Sequence, residues 1–228
     1  MTRIYVPTTG PKDWQALLAD PHKHWKRGYS AKTAASCWEA SNNRFPPEIA
    51  RAFTRAEEPS LHSLELLIAL PEYQTPLPGG RRASQSDVFA LARGSDGVVA
   101  IAVEAKVNED FGPVFDEWFD RPSAGKRARW QFLAGKLDLE GFDPRGVRYQ
   151  LLHRLASAVI EAERFGARDA VILVHAFGSG KELLDDFRRF VSIWGRDAAL
   201  GRIITLKDRG DLRLHAGWIP GNRRFLKA

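Results

Sequence analysis

Asp87, Glu104 and Lys106 are the residues of this chain whose types and spacing could do chemistry. Asp87 opens the run Asp87-Val-Phe-Ala-Leu-Ala-Arg93, and Glu104-Ala105-Lys106 closes the run from Val98 to Lys106. Between them, Gly94-Ser95-Asp96-Gly97 has the composition of a turn. A tight turn centred on Ser95-Asp96 sets Arg93 opposite Val98, Leu91 opposite Ala100, Phe89 opposite Ala102 and Asp87 opposite Glu104. The two acids then share one face with Cβ atoms roughly 4.5–5.5 Å apart. Like charges so placed repel, and a divalent cation between them would relieve the repulsion. Lys106 lies two residues from Glu104 and points the same way. A bulge or a three-residue loop would break this register and the site with it.

These residues need a scaffold. On the second face of the hairpin Val88, Ala90, Ala92, Val99, Ile101 and Val103 are all apolar. A hairpin apolar on both faces is a covered, central part of a sheet. Residues 11–56 read as short helices broken by Pro21, Gly28 and Pro46-Pro47, with Ser30 as an N-cap and Pro46-Pro47 opening a helix. Ser60 is expected to cap a helix over Leu61–Leu70, and Tyr73–Leu77 to form a short edge strand. Further helices are expected near Pro113–Phe119, Lys126–Leu137, Arg148–Phe165 and Lys181–Trp194. Strands are expected at Asp169–Phe177, Gly201–Leu206 and Leu212–Ile219. The 148–165 helix carries an apolar stripe through Leu152, Leu155, Val159 and Ala162, and Gly166 stops it. As a crossover, it would set strand 169–177 parallel to strand 98–107. The expected fold is α/β, a mixed central sheet with helices on both faces. Residues 1–58 form a helical extension packed on a core of residues 59–228.

Composition narrows the class. The hydrophobic fraction is 44% and the charged fraction 27%, as in ordinary globular proteins. No apolar run approaches the ~18–20 residues of a membrane span. The start of the chain lacks a signal-peptide core, and the single cysteine, Cys37, suits a reducing, cytoplasmic setting. A net charge of +6 permits a polyanionic partner. Zinc ligation would draw on His22, His24, Cys37, His62, His153 or His175, but their spacing follows no strong zinc pattern. Gly178-Ser179-Gly180 lacks the spacing of a nucleophile elbow, and no Walker A lysine follows it.

The element order, with Asp on the second strand and Glu-x-Lys on the third, resembles the PD-(D/E)xK nuclease superfamily, which includes the restriction endonucleases. The likeness covers residues 60–177 and rests on Ser86-Asp87 and Glu104-Ala105-Lys106, with Ser86 in place of the signature proline. It implies an αβββαβ core. It also implies a Mg²⁺- or Mn²⁺-dependent phosphodiesterase acting on nucleic acid, DNA favoured over RNA. Asp87, Glu104 and the Ala105 carbonyl would hold the metal, and Lys106 would orient a water. In some branches the first helix adds an acid, a place Glu65 would take. Gln150 and Arg154, on the helix after Lys106, and Arg81 or Arg82 would position nucleic acid. A solvated helix face is the competing account of Gln150 and Arg154. A double-strand cut would call for a homodimer, of which the sequence carries no interface signal. The alternative is an inactive nucleic-acid-binding or assembly module on the same fold.

Overall fold

The computed structural model describes residues 8–178 and 180–227. The first seven residues of the expected extension, and Ser179 of the Gly-Ser-Gly loop, lie outside the described residues. Short helices come first: a 3-10 turn at Pro11–Leu17, then α1 (Pro21–His24), α2 (Ser30–Glu39) and α3 (Pro47–Phe53). An antiparallel meander follows, β1 (Glu65–Thr75), β2 (Ser84–Gly94) and β3 (Gly97–Lys106). After α4 (Phe115–Trp118) and α5 (Ala124–Leu137), helix α6 (Tyr149–Phe165) crosses to β4 (Asp169–Ala176). Helix α7 (Lys181–Ser192) and the strands β5 (Ile203–Asp208) and β6 (Arg213–Pro220) complete the domain.

The six strands form one mixed sheet in the order β1-β2-β3-β4-β6-β5. Strand β4 is parallel to β3 and to β6, and the remaining pairs are antiparallel. Alternation along the strands feeds two cores. Val99, Ile101, Val103, Val171 and Leu173 pack with Trp14, Trp38, Ile49 and Phe53 of the N-terminal helices. Ala100, Ala102, Ile172 and Val174 pack with Leu151, Leu155 and Val159 of α6, and with residues of α5 and α7. Helices therefore cover both faces, as expected. Helix α6 ends at Gly166, whose φ of 62° is the left-handed conformation that glycine adopts at least cost.

One element is a correction. Leu61–Leu70 is not a helix: a single 3-10 turn at Pro59–Leu61 precedes β1, which runs from Glu65 through Thr75. Leu64-Glu-Leu-Leu-Ile-Ala-Leu70 is apolar nearly all round, so periodicity alone does not separate a packed helix from a covered strand. The long ladder with β2 decides it, overriding the helix propensity of Leu, Ala and Glu. Because β1 is an edge strand, the missing N–H of Pro71 breaks no central ladder. A smaller correction concerns Ser30. It is the first helical residue of α2 instead of its cap, and its N–H is held by the Glu109 carboxylate at 2.8 Å.

Candidate active site

The turn at Ser95-Asp96 sets the register that the sequence implies. Arg93 pairs with Val98, Phe89 with Ala102 and Val88 with Val103, which brings Asp87 beside Glu104 just past the last ladder pair. Asp87 Oδ2 accepts the Ala105 N–H at 2.7 Å, tying the two strand ends together. The Lys106 carbonyl accepts from Phe177 N on the β4 side, so by alternation the Ala105 carbonyl turns toward β2 and Asp87.

A third acid joins the row from β1. Pro71 pairs with Val88 and Tyr73 with Ser86, which leaves Glu72 beside Asp87. Glu72 adopts a φ of 51°, a conformation that strains any residue with a side chain, and its Oε2 accepts from Gln85 Nε2 at 2.8 Å. Sequence reasoning misses Glu72 because it falls between a misread helix and a strand begun at Tyr73. Extending that strand by one residue places Glu72 opposite Asp87.

Helix α6 supplies the opposing groups. Gln150 and Arg154 are one turn apart on one face and both reach Glu104. Glu104 Oε1 accepts from Lys106 Nζ at 2.8 Å and from Gln150 Nε2 at 2.8 Å, and Oε2 accepts from Arg154 Nε at 2.6 Å. Gln150 Oε1 in turn accepts from Lys106 Nζ at 3.1 Å, so this amide bridges both ends of the Glu-x-Lys pair. Arg154 also donates to Ser84 Oγ at 2.7 Å, and that hydroxyl meets His153 Nδ1 at 2.8 Å. Arg154 is buried, which a solvated helix face would not be.

Charge in this site is unevenly offset. Burial alone would raise Glu104, but the Lys106 ammonium and the Arg154 guanidinium outweigh it and hold the carboxyl at about 2. Asp87 is pushed up to about 7, by burial first and then by the Glu104 charge. Burial and Asp87 push Glu72 up to about 8. His153 is depressed by burial and by Arg154, and stays neutral.

The acid row lies in a cleft of about 880 Å³. The donors are hard oxygens, the set that Mg²⁺ prefers. A carboxylate offers about four lone-pair positions. The contacts above use three on Glu104, so one is left for a cation, while Asp87 and Glu72, which hold their protons up to about pH 7 and 8, would ionise to join it.

Two expected groups fall elsewhere. Glu65 lies at the far end of β1 with Arg93 as its Cα partner, roughly 20 Å along the strand from Glu72. As a metal ligand it is corrected, because the helix that would have carried it inward does not exist. Arg81 and Arg82 are exposed in the connection between β1 and β2, and the cleft lining includes Ala83 but neither arginine. Arg82 contributes its carbonyl to Arg129 at 2.8 Å.

The histidines largely disperse. His62 bonds the Ala56 carbonyl, and His153 belongs to the Ser84 network. Cys37 and His175 do meet, around Glu48, with ligand-type atoms within 4.8 Å of one another. Glu48 is outside the reach of sequence reasoning, since nothing local links the first turn of α3 to strand β4.

Against family models, residues 7–223 match the one described as a domain of unknown function (DUF6946). No curated protein and no solved structure matches the chain. Among the described residues, no helix is long and apolar enough to cross a membrane.

Proposed function

The chain belongs to the DUF6946 family, and from that premise and the site geometry we propose that it is a metal-dependent nuclease. It hydrolyses phosphodiester bonds of nucleic acid, DNA favoured over RNA, on a restriction-endonuclease-like core. The observation that carries this reading is the opposition of Asp87 and Glu104 across the hairpin, with Lys106 beside them. The antiparallel meander β1-β2-β3, the crossover α6 and the parallel strand β4 support it. In place of the expected helix 61–70, α3 is the helix that precedes the meander.

Asp87, Glu104 and the Ala105 carbonyl would hold Mg²⁺ or Mn²⁺, with Glu72 in the role first expected of Glu65. Such an ion, when bound, polarises a phosphoryl oxygen and lowers the pKa of a bound water. The chain's own residues do the rest. Lys106, anchored by Glu104 and Gln150, presents its ammonium where negative charge accumulates on the phosphate. Gln150 holds Lys106 and Glu104 at a set separation. Lys106 and Arg154 keep Glu104 ionised, so this carboxylate does not have to lose a proton before binding a cation.

Incubation of the purified protein with linear, circular and single-stranded DNA and with RNA, in Mg²⁺ or Mn²⁺, tests the reading. Cleavage is expected and should vanish in Asp87→Ala and Lys106→Ala. Activity that survives both substitutions removes the site assignment.

One observation favours a second reading. Glu104 is already paired with Lys106 and Arg154, so the cluster could serve only to hold an inactive binding or assembly module together. Thermal stabilisation by Mg²⁺ separates the two: the nuclease reading requires it, and requires its loss in Asp87→Asn.

A further inference from the structure

The hairpin and α6 do not account for the whole cleft. Lys23, His24, Tyr29 and Ala31, from the segment spanning α1 to the start of α2, also line it, together with Tyr149 of α6. The two walls come from opposite faces of the sheet. Helix α2 packs beside Ala105 and Val107 through Ala34 and Cys37, whereas α6 packs on the face that carries Glu104. They meet past the end of β3, and the acids lie at the bottom.

A single carboxylate fixes the N-terminal wall there. Glu109 Oε1 accepts the Ser30 N–H at 2.8 Å, and Oε2 accepts the N–H groups of Val107 and Asn108 at 3.1 Å each. These last two residues directly follow Lys106. The wall is thus joined through one charged acceptor to the strand that carries the Glu-x-Lys pair, in addition to the packing of α2 on Ala105 and Val107.

The depth and lining of the cleft restrict what can enter. Glu104 is 3% exposed and Lys106 5% exposed, so a scissile phosphate must descend between the walls. A base can stack on an aromatic side chain of the wall only when it is unpaired and free of its neighbours, as in a single strand. The lining has the chemistry of a single-strand groove. Tyr29 is 38% exposed, with Lys26 Nζ 5.7 Å from its ring centroid. Tyr149 is 8% exposed and stacked on Trp118, the ring centroids 3.8 Å apart and the planes 7° from parallel, so it packs the opposite wall and the open aromatic face is that of Tyr29. Lys23 and His24 are exposed cationic or hydrogen-bonding groups that line the same cleft. An aromatic face flanked by cations accepts any base and the phosphates next to it.

We propose that the segment 23–31 is the substrate wall of this cleft, and that its substrate is single-stranded nucleic acid, with a base stacked on Tyr29 and phosphate held by Lys23. This names the substrate class of the proposed nuclease and rests on that reading for the chemistry alone.

Fluorescence anisotropy of the full chain in EDTA, where no cleavage occurs, tests it with a labelled oligothymidine and a blunt duplex of matched length. The single strand should bind about 10-fold tighter than the duplex. Tyr29→Ala should remove about 10-fold of that affinity, with recovery in Tyr29→Phe. Lys23→Ala should reduce the slope of log affinity against log salt by about 0.7. Equal binding of the duplex, or single-strand affinity unchanged in a folded Tyr29→Ala, overturns the proposal. A separate Mg²⁺ cleavage assay keeps the two readings apart. Preferential single-strand binding without cleavage of any substrate counts against the nuclease alone, and efficient duplex cleavage unaffected by Tyr29→Ala counts against the substrate wall alone.

Discussion

Two buried polar clusters occupy opposite faces of adjacent strands. From β3, Glu104 and Lys106 project toward α6. From β4, His175 projects toward α2 and α3, where Glu48 Oε1 accepts from His175 Nε2 and Asn222 N at 3.1 Å each, and from Cys37 Sγ at 3.6 Å. Both clusters centre on a carboxylate held at about 2 against the effect of burial: Glu104 by two cations, Glu48 by His175 and backbone N–H groups. A low carboxylate pKa therefore does not mark function here. The neighbouring acids distinguish the clusters. Around Glu48 the neighbours are a thiol and an imidazole, with burial and Glu48 pushing the Cys37 thiol up and burial pushing His175 down. Around Glu104 two further acids, Asp87 and Glu72, are forced upward in an open cleft. Only the second cluster offers two further carboxylates beside its central one, and the proposed function rests on these.

The largest test of this contrast is catalytic. Asp87→Ala and Lys106→Ala should each lower single-turnover cleavage by about 10³-fold, and Cys37→Ser should leave it unchanged. Equal losses in all three would erase the distinction. Next is stability, read from urea melts. Arg154→Ala leaves Glu104 buried and short of a cation, at a cost of about 3–5 kcal/mol. Glu48→Gln keeps the shape and an acceptor, and should cost about 1–3 kcal/mol. A smaller loss for Arg154→Ala than for Glu48→Gln would reverse the ranking of the clusters.

Mg²⁺ at about 100 times its dissociation constant should stabilise the protein by about 2.7 kcal/mol. That gain should disappear in Asp87→Asn and persist in Glu48→Gln, as thermal melts would show. The last test is pH dependence, in which the two clusters differ in sign. Asp87 and Glu72 have raised pKa values in the folded chain, so their contribution is fully present below the unfolded carboxylate range near pH 4. It is lost as pH rises through about 7 to 8. Glu48 is lowered, so its contribution is present above about pH 4.5 and is lost as pH falls toward 2. Because Mg²⁺ needs ionised ligands, its affinity should rise across pH 7–8 and release protons. Melts across pH with and without Mg²⁺ check this. A metal-free profile left unchanged by Asp87→Asn would contradict the assignment of the alkaline slope.

Much of the site is legible in the amino-acid sequence. Asp87 faces Glu104 because strand alternation and a short turn are local rules, and Gly94–Gly97 is enough to set them. The amphipathic stripe of α6 and its glycine stop are equally local. Glu72 is not legible, because the run before it suits helix and strand alike. Arg154 is visible only as a residue off the apolar stripe. Nothing in a helical period tells solvent from a partner carboxylate fifty residues away. Glu109 is likewise invisible, since the N–H it caps belongs to a helix 79 residues earlier.

Local pattern was therefore sufficient for the facing acids of the hairpin and for its cover on both sides. Long-range packing was needed to make β1 a strand, to complete the acid row with Glu72 and not Glu65, and to wall the cleft with the N-terminal helices. The difference lies in the range of the interactions. Turn geometry and side-chain alternation act between neighbours in the chain. The β1 ladder, the Arg154 ion pair and the Glu109 clasp exist only once distant segments have been packed together.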